Sequence, residues 1–155
     1  MKAHEIMNTQ VIKVKKEHSV RFVIEKMIEH GVNGLPVVND KNELVAYISD
    51  GDIMRYIGRQ KDLVLGTLFF SQIMKGDNDN LESRAKRLME LNVMEIAQTK
   101  VYKISSEVDV EDIAAFLGKK NIQRIPVVRK GALVGIISRT DIIRSTFKLE
   151  GRAVI

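Results

Sequence analysis

The chain has 155 residues, 45% of them hydrophobic and 29% charged, and no cysteine. That length supports one compact domain or two small ones sharing a core, and the missing thiols exclude a disulfide framework and thiolate metal sites. The net charge of +5 suits phosphate-bearing ligands, but the basic residues are interleaved with 20 acidic ones, the pattern of a solvated surface. No apolar run approaches the roughly 20 residues that span a bilayer. The start, Met1-Lys2-Ala3-His4-Glu5, lacks the apolar core of an export signal. A cytoplasmic protein with no membrane partner is expected.

In chain order, Val11-Ile12-Lys13-Val14 reads as a short strand. An amphipathic helix then starts near Ser19, with Val20, Val23, Ile24, Met27 and Ile28 at the spacing of one buried stripe. Gly31 suits the left-handed residue that closes such a helix. Two β-branched runs follow, Leu35-Pro36-Val37-Val38 and Leu44-Val45-Ala46-Tyr47-Ile48, joined by the turn Asn39-Asp40-Lys41-Asn42. A further helix is expected from about Asp52. Beyond it, residues 58–92 form an insertion with an apolar stretch around Phe69-Phe70, a polar break over Gly76–Asn80, and a connector helix from Leu81 to about Leu91. Leu81, Leu88 and Leu91 fit one stripe of that helix, and the Phe69-Phe70 region is expected to cover a core edge or, as the alternative, a dimer contact.

The pattern then repeats. Residues 5–38 align with 95–128 at a constant offset of 90, with ten identities in 34 pairs, and Leu44–Arg55 aligns with Leu133–Arg144 with seven in twelve. The second copy therefore has a strand at Val101–Ile104, a helix from near Asp109 closed by Asn121, a turn Arg129-Lys130-Gly131, and a last helix from about Asp141. Strand, helix, strand, strand, helix is an α+β unit of about 50 residues, too small to bury both faces of its sheet alone. The two copies are expected to pack their sheets face to face about a pseudo-two-fold axis, with a cleft for a ligand in each half. The layout is then repeat 1 over 1–57, the insertion and connector over 58–92, repeat 2 over 93–147, and a tail over 148–155.

Each copy carries an apolar strand ending in Ser-x-x-Asp at the mouth of a helix, Ser49 to Asp52 and Ser138 to Asp141. A carboxylate fixed there can accept from both hydroxyls of a ribose. The same pattern is also a capping box that satisfies the first helical turn, and the two roles stay open. The opposite wall would be Val32-Asn33-Gly34-Leu35-Pro36 or Ile122-Gln123-Arg124-Ile125-Pro126, where proline removes one ladder amide. His4, His18 and His30 are scattered without metal-ligand spacing and are read as surface residues.

The tandem β-α-β-β-α order, the apolar-Pro-Val-Val strand and the closing hydrophobic-Ser-x-x-Asp resemble the CBS (cystathionine β-synthase) domain family over nearly the whole chain except the insertion. The resemblance implies a regulatory Bateman-type module, often a homodimer, with AMP, ADP, ATP or S-adenosylmethionine bound between repeats. By position it implies Asp141 and Asp52 as ribose ligands and Ser138 and Ser49 as the neighbouring hydroxyls. It implies Thr99 and Val101, with Thr9 and Val11, as adenine-pocket residues. The better site would comprise Thr99, Val101, Gln123, Arg124, Ile125, Pro126, Ser138, Arg139, Thr140 and Asp141. A weaker one would comprise Thr9, Val11, Asn33, Gly34, Leu35, Pro36, Ser49 and Asp52. Gly34 replaces the basic residue of the second copy, Ala46 replaces the glycine kept as Gly135, and Asp50 stands where the second copy has Arg139. Lys119, Lys120, Arg124, Arg139 and Arg144 are candidate phosphate partners.

The expected function is an adenine-nucleotide sensor that signals to an effector protein, with no catalytic residues, no required cofactor and no metal. No nucleophile beside a histidine, glycine-rich phosphate loop or two-metal carboxylate cluster stands in the sequence. The alternative is a ligand-free dimerisation module. Nucleic acid is not an expected partner, since only 5% of residues are aromatic and no recognition motif is present.

Overall fold

The computed structural model describes residues 1–58 and 80–148. Their elements run α1 (Ala3–Ile6), β1 (Val14–Lys15), α2 (Val20–His30), β2 (Gly34–Val38), β3 (Leu44–Ser49) and α3 (Asp50–Ile57). After the insertion come α4 (Leu81–Glu90), a 3-10 turn (Val93–Glu95), β4 (Ile104–Ser105), α5 (Val110–Lys120), β5 (Arg124–Arg129), β6 (Ala132–Ser138) and α6 (Arg139–Phe147). The strands form two three-stranded sheets, β1-β2-β3 and β4-β5-β6, so the chain is α+β with one sheet per repeat.

Local chemistry accounts for most boundaries. The Ser19 hydroxyl accepts the Phe22 amide at 3.2 Å and opens α2. Gly31 closes it at φ 63°, and Asn121 closes α5 at φ 54°. Val20, Val23 and Met27 are buried as the stripe requires, but Ile28 is 77% exposed. At 100° per residue it has turned away from the line through Met27. Lys130 and Gly131 both take positive φ, 51° and 82°, as a two-residue β5–β6 hairpin demands.

The first strand of each repeat is shorter and later than its apolar run suggests. β4 pairs in parallel with β5 only at Ile104↔Val127 and Ser105↔Val128. Pro126, one residue earlier, has no N–H for the ladder. Upstream, the backbone is bonded elsewhere: Asn8 exchanges both its bonds with Ile136 at 2.9 and 3.0 Å, and Gln98 does the same with Tyr47 at 2.9 Å each. Both final helices also start earlier than Asp52 and Asp141, because the serines are their N-caps and the aspartates stand at the third helical position. In the connector helix Leu88 is buried, whereas Leu81, its first residue, is exposed. The expectation for Phe69-Phe70 lies outside the described residues.

The chain folds into two compact units. One comprises Met1–Lys13, Val38–Val45 and Lys100–Ile155, and the other Val14–Val37 and Ala46–Thr99. They are called here the Asp141 unit and the Asp52 unit. In the Asp141 unit, Ala3 is fully buried against Val110, Ile113, Leu117, Ile125, Val127, Ile137 and Ile142. The Ala3 amide donates to Val108 O at 2.8 Å, the Val110 amide donates to Met1 O at 2.9 Å, and Lys2 pairs with Asp109 at 2.9 Å. The Asp52 unit has the matching arrangement, with the Val20 amide on Leu91 O at 2.8 Å and the Val93 amide on His18 O at 3.0 Å. In each unit, then, the turn that precedes one repeat is bonded to the helix start of the other. The Lys2 ammonium beside Asp109 holds that carboxyl below the usual carboxylate range, and Asp109 in turn raises Lys2. The Lys2 amide likewise lowers Glu5, whose carboxylate caps α1.

Candidate functional site

Each Ser-x-x-Asp sits where a strand becomes a helix, so its geometry is set by backbone. In the Asp141 unit, the apolar alternation of β6 ends at Ser138, and the chain turns directly into α6. Ser138 N and Oγ both donate to Asp141 Oδ2 at 2.8 Å, while the Asp141 amide is 3.2 Å from Ser138 Oγ. This is a full capping box. It uses one carboxylate oxygen. Among the described residues, the other oxygen, Oδ1, receives Arg144 Nη1 at 3.2 Å and nothing more, and the Asp141 side chain is 22% exposed. Across the sheet, Arg124 is the register partner of Ser138, and the Arg139 amide donates to Gln123 O at 3.0 Å, tying the pre-proline segment to the helix mouth.

The Asp52 unit starts from the same frame. Ser49 N and Oγ donate to Asp52 Oδ2 at 2.9 and 3.2 Å, and the Asp50 amide donates to Asn33 O at 2.9 Å. The second oxygen differs. Oδ1 accepts both Arg55 Nη2 and Gln98 Nε2, the latter at 2.9 Å, and the Asp52 side chain is only 2% exposed. A buried carboxylate needs such donors, since leaving it unpaired would be costly. The hydroxyl end of Tyr47 packs against Gly34: a Cβ built there would come within 2.6–2.9 Å of the Tyr47 ring and hydroxyl. Only glycine leaves room for that ring. In the other repeat the same positions are Arg124 and Ile136.

The structure exchanges the first-strand residues between the two expected groupings. Thr9 and Val11 belong to the unit of Ser138 and Asp141, whereas Thr99 belongs to the unit of Ser49 and Asp52. The cause is the pair of isolated bridges, Asn8 with Ile136 and Gln98 with Tyr47. Val101, Gln123, Arg124, Ile125, Pro126, Arg139 and Thr140 stay in the Asp141 unit, and Asn33, Gly34, Leu35 and Pro36 in the Asp52 unit. Ile125, Pro126, Leu35 and Pro36 are buried, so they can offer a ligand backbone and wall rather than free side chains.

The cation cluster also divides. Lys119 and Lys120 are exposed at the end of α5, and Arg124 is half-buried. The Arg139 guanidinium is committed to α5, donating from Nε to Ile122 O at 2.9 Å and from Nη2 to Leu117 O at 2.8 Å. It satisfies carbonyls left open by the helix end, which is a capping role. Gly135 has a structural reason as well: a Cβ there would meet Met7 Sδ at 2.5 Å. The equivalent positions in the other repeat are Ala46 and Ala97, a larger strand residue opposite a smaller partner position. Two residues that sequence reasoning passed over, Gln98 and Tyr47, set the first aspartate apart, whereas Arg55 pairs with it as Arg144 does with Asp141. The mismatch of Asn8 with Gln98 and of Ile136 with Tyr47 in the repeat alignment was the available signal.

The remaining polar groups have local roles. His18 Nδ1 accepts the Lys15 amide at 2.9 Å and its ring stacks on Phe22 at 3.8 Å. His4 lies 4.0 Å from Glu107. Among the described residues, no group of three or more His, Asp or Glu could hold a metal ion, and no helix is long and apolar enough to cross a membrane. A cavity of about 430 Å³ opens between the starts of the chain and α5 and the end of α6, lined by Met1, Asp109, Ile142 and Ser145 among others but by neither Ser138 nor Asp141.

Comparison with known proteins matches the CBS domain family model to residues 3–59 and 93–147. An uncharacterized protein of Methanocaldococcus jannaschii, MJ1225, is 27% identical over 140 residues. The match covers 90% of this chain and 41% of that protein, so the chain spans less than half the length of this relative. The crystal structure of CBSX2 in complex with AMP superposes with a TM-score of 0.70 at 25% identity, covering 95% of this chain and 96% of that one. The CBS domain pair of MJ0100, solved with 5′-methylthioadenosine and S-adenosylmethionine, gives 0.66 at 22% identity over 96% and 97% of the two chains and shares the fold.

Proposed function

The chain belongs to the CBS domain family, and on that footing we propose that it is a regulatory module binding an adenosine ligand, AMP first among the choices, at the Ser138–Asp141 turn. The observation that carries this reading is Asp141 Oδ1. It is partly exposed and, among the described residues, held only by an ion pair with a solvent-facing arginine. A ribose diol donates two hydrogen bonds to one carboxylate and can replace that pair. Arg144, released, then has a phosphate to bind, as has Arg124 on the facing strand. Thr9 and Val11 supply the first-strand wall in place of Thr99. Arg139 and Ser138 shape the site through the backbone.

Binding becomes regulation only if the ligand has unequal affinity for two conformations, one of which an effector protein reads. The same reading takes the module as cytoplasmic and homodimeric, with repeats over 1–57 and 93–147 and no catalytic step of its own. It is tested by thermal melts against AMP, ADP, ATP, S-adenosylmethionine and GMP, with Asp141→Ala alongside. At 100 times its Kd a ligand contributes about 2.7 kcal/mol, a shift of about 5–11 °C for a chain of this size. The expected result is a shift with an adenosine ligand that Asp141→Ala removes. No shift with any of them would favour the ligand-free dimerisation module, for which the exposed Ile143 and Phe147 on α6 speak.

A further inference from the structure

We propose that Gln98, with Tyr47, is an internal lock that occupies the ligand position of the first repeat, so that the chain binds one adenosine ligand and not two. The inference rests on the reading of Asp141 above and adds what sets the stoichiometry. Asp52 has the same capping frame as Asp141 and the same arginine three residues on, Arg55 in place of Arg144, yet its second oxygen also holds the Gln98 side-chain amide. A ribose diol that displaces the arginine, as at Asp141, would still meet the amide. The amide therefore fills a coordination position that a ligand would otherwise take, and does so from within the chain.

The placement of Gln98 is not accidental to its side chain. Its backbone exchanges two bonds with Tyr47 on β3, which holds the side chain over the start of α3. Asn8 is held in the same way against Ile136, but its side chain is one methylene shorter. Its Oδ1 accepts the Gln10 amide at 2.9 Å, closing a local turn instead of reaching the aspartate. Tyr47 adds the second part of the lock by lying on Gly34, where the other repeat has Arg124. An incoming ligand at Asp52 would have to displace the amide and the ring together, and would find no cation at position 34.

Calorimetric titration with AMP tests this on wild type, on Gln98→Asn/Tyr47→Ile, which installs the residues found at positions 8 and 136, and on the same pair with Asp52→Ala added. The expected stoichiometries are one AMP per chain, two, and one again, the equivalent bound at Asp141 showing that each variant is folded. Two AMP per wild-type chain, or still one in the Gln98→Asn/Tyr47→Ile variant, would overturn the lock. If wild type binds none, the Asp141 reading fails by itself. The lock then stands only if the variant gains one equivalent that Asp52→Ala abolishes, and falls if it gains none.

Discussion

The two Ser-x-x-Asp turns are copies of one pattern in different surroundings. Both cap a helix through one carboxylate oxygen, so the fold needs both. They part at the second oxygen, which among the described residues meets one exposed arginine at Asp141 and both the equivalent Arg55 and Gln98 at Asp52. The lesson is that two carboxylates can share a motif and a capping role and differ only in what reaches the last lone pairs, the difference on which the proposed ligand site at Asp141 rests.

The sharpest way to break the comparison is to remove each carboxylate in turn, since the two losses should fall on different observables. Asp141→Ala is expected to lower AMP affinity at least about 100-fold, a loss of about 2.7 kcal/mol measured by calorimetry, because a charged acceptor for two hydroxyls disappears. Its own stability cost should be near 1 kcal/mol, that of a lost helix cap. Asp52→Ala should do the reverse. It removes the buried acceptor of Ser49, Arg55 and Gln98, of which Arg55 and Gln98 can turn to water, so chemical denaturation should show a loss of about 2 kcal/mol, the cap and its extra donors together, with AMP affinity at Asp141 unchanged. Equal stability losses in the two variants would mean that the burial difference has no energetic content.

A smaller effect sharpens the packing side. Gly135→Ala should cost about 1–2 kcal/mol, as its methyl meets Met7, and Met7→Ala added to it should recover part of that loss by copying the Ala46 and Ala97 arrangement of the other repeat. Additive losses in that double-mutant cycle would show that the two sites do not communicate. The smallest effect concerns the Lys2–Asp109 pair, which the Asp52 unit lacks, having Asn92 and Ser19 at the equivalent positions. Asp109 is lowered by Lys2, so its stabilisation is full above the unfolded carboxylate value and is lost as pH falls through the lower folded one. Lys2 is raised, so its contribution is full below the unfolded lysine value and is lost as pH rises through the higher folded one. Thermal melts should therefore show a constant gap between wild type and Asp109→Asn from about pH 5 to 10, closing at either extreme. A gap that varies in mid-range would point to another titrating group.

The amino-acid sequence by itself determined the repeat, the α+β order within it, the helix starts at Ser19 and Asp109, the left-handed closures at Gly31 and Asn121, and the pair of Ser-x-x-Asp turns. These follow from short-range chemistry: apolar period, side-chain-to-backbone capping and the steric freedom of glycine and asparagine act within a few residues, where a sequence can be read directly. Only the tertiary structure decided that Thr9 and Val11 belong with Asp141, that Arg139 caps α5, and that Gly135 makes room for Met7. It alone set Gln98 on Asp52 and Tyr47 on Gly34. Apart from the Arg139 cap, which α5 and α6 make between them, those outcomes depend on which strand the segments around Asn8 and Gln98 join, a choice between backbone partners tens of residues away. No local propensity distinguishes those partners, because every exposed strand edge offers the same amides and carbonyls.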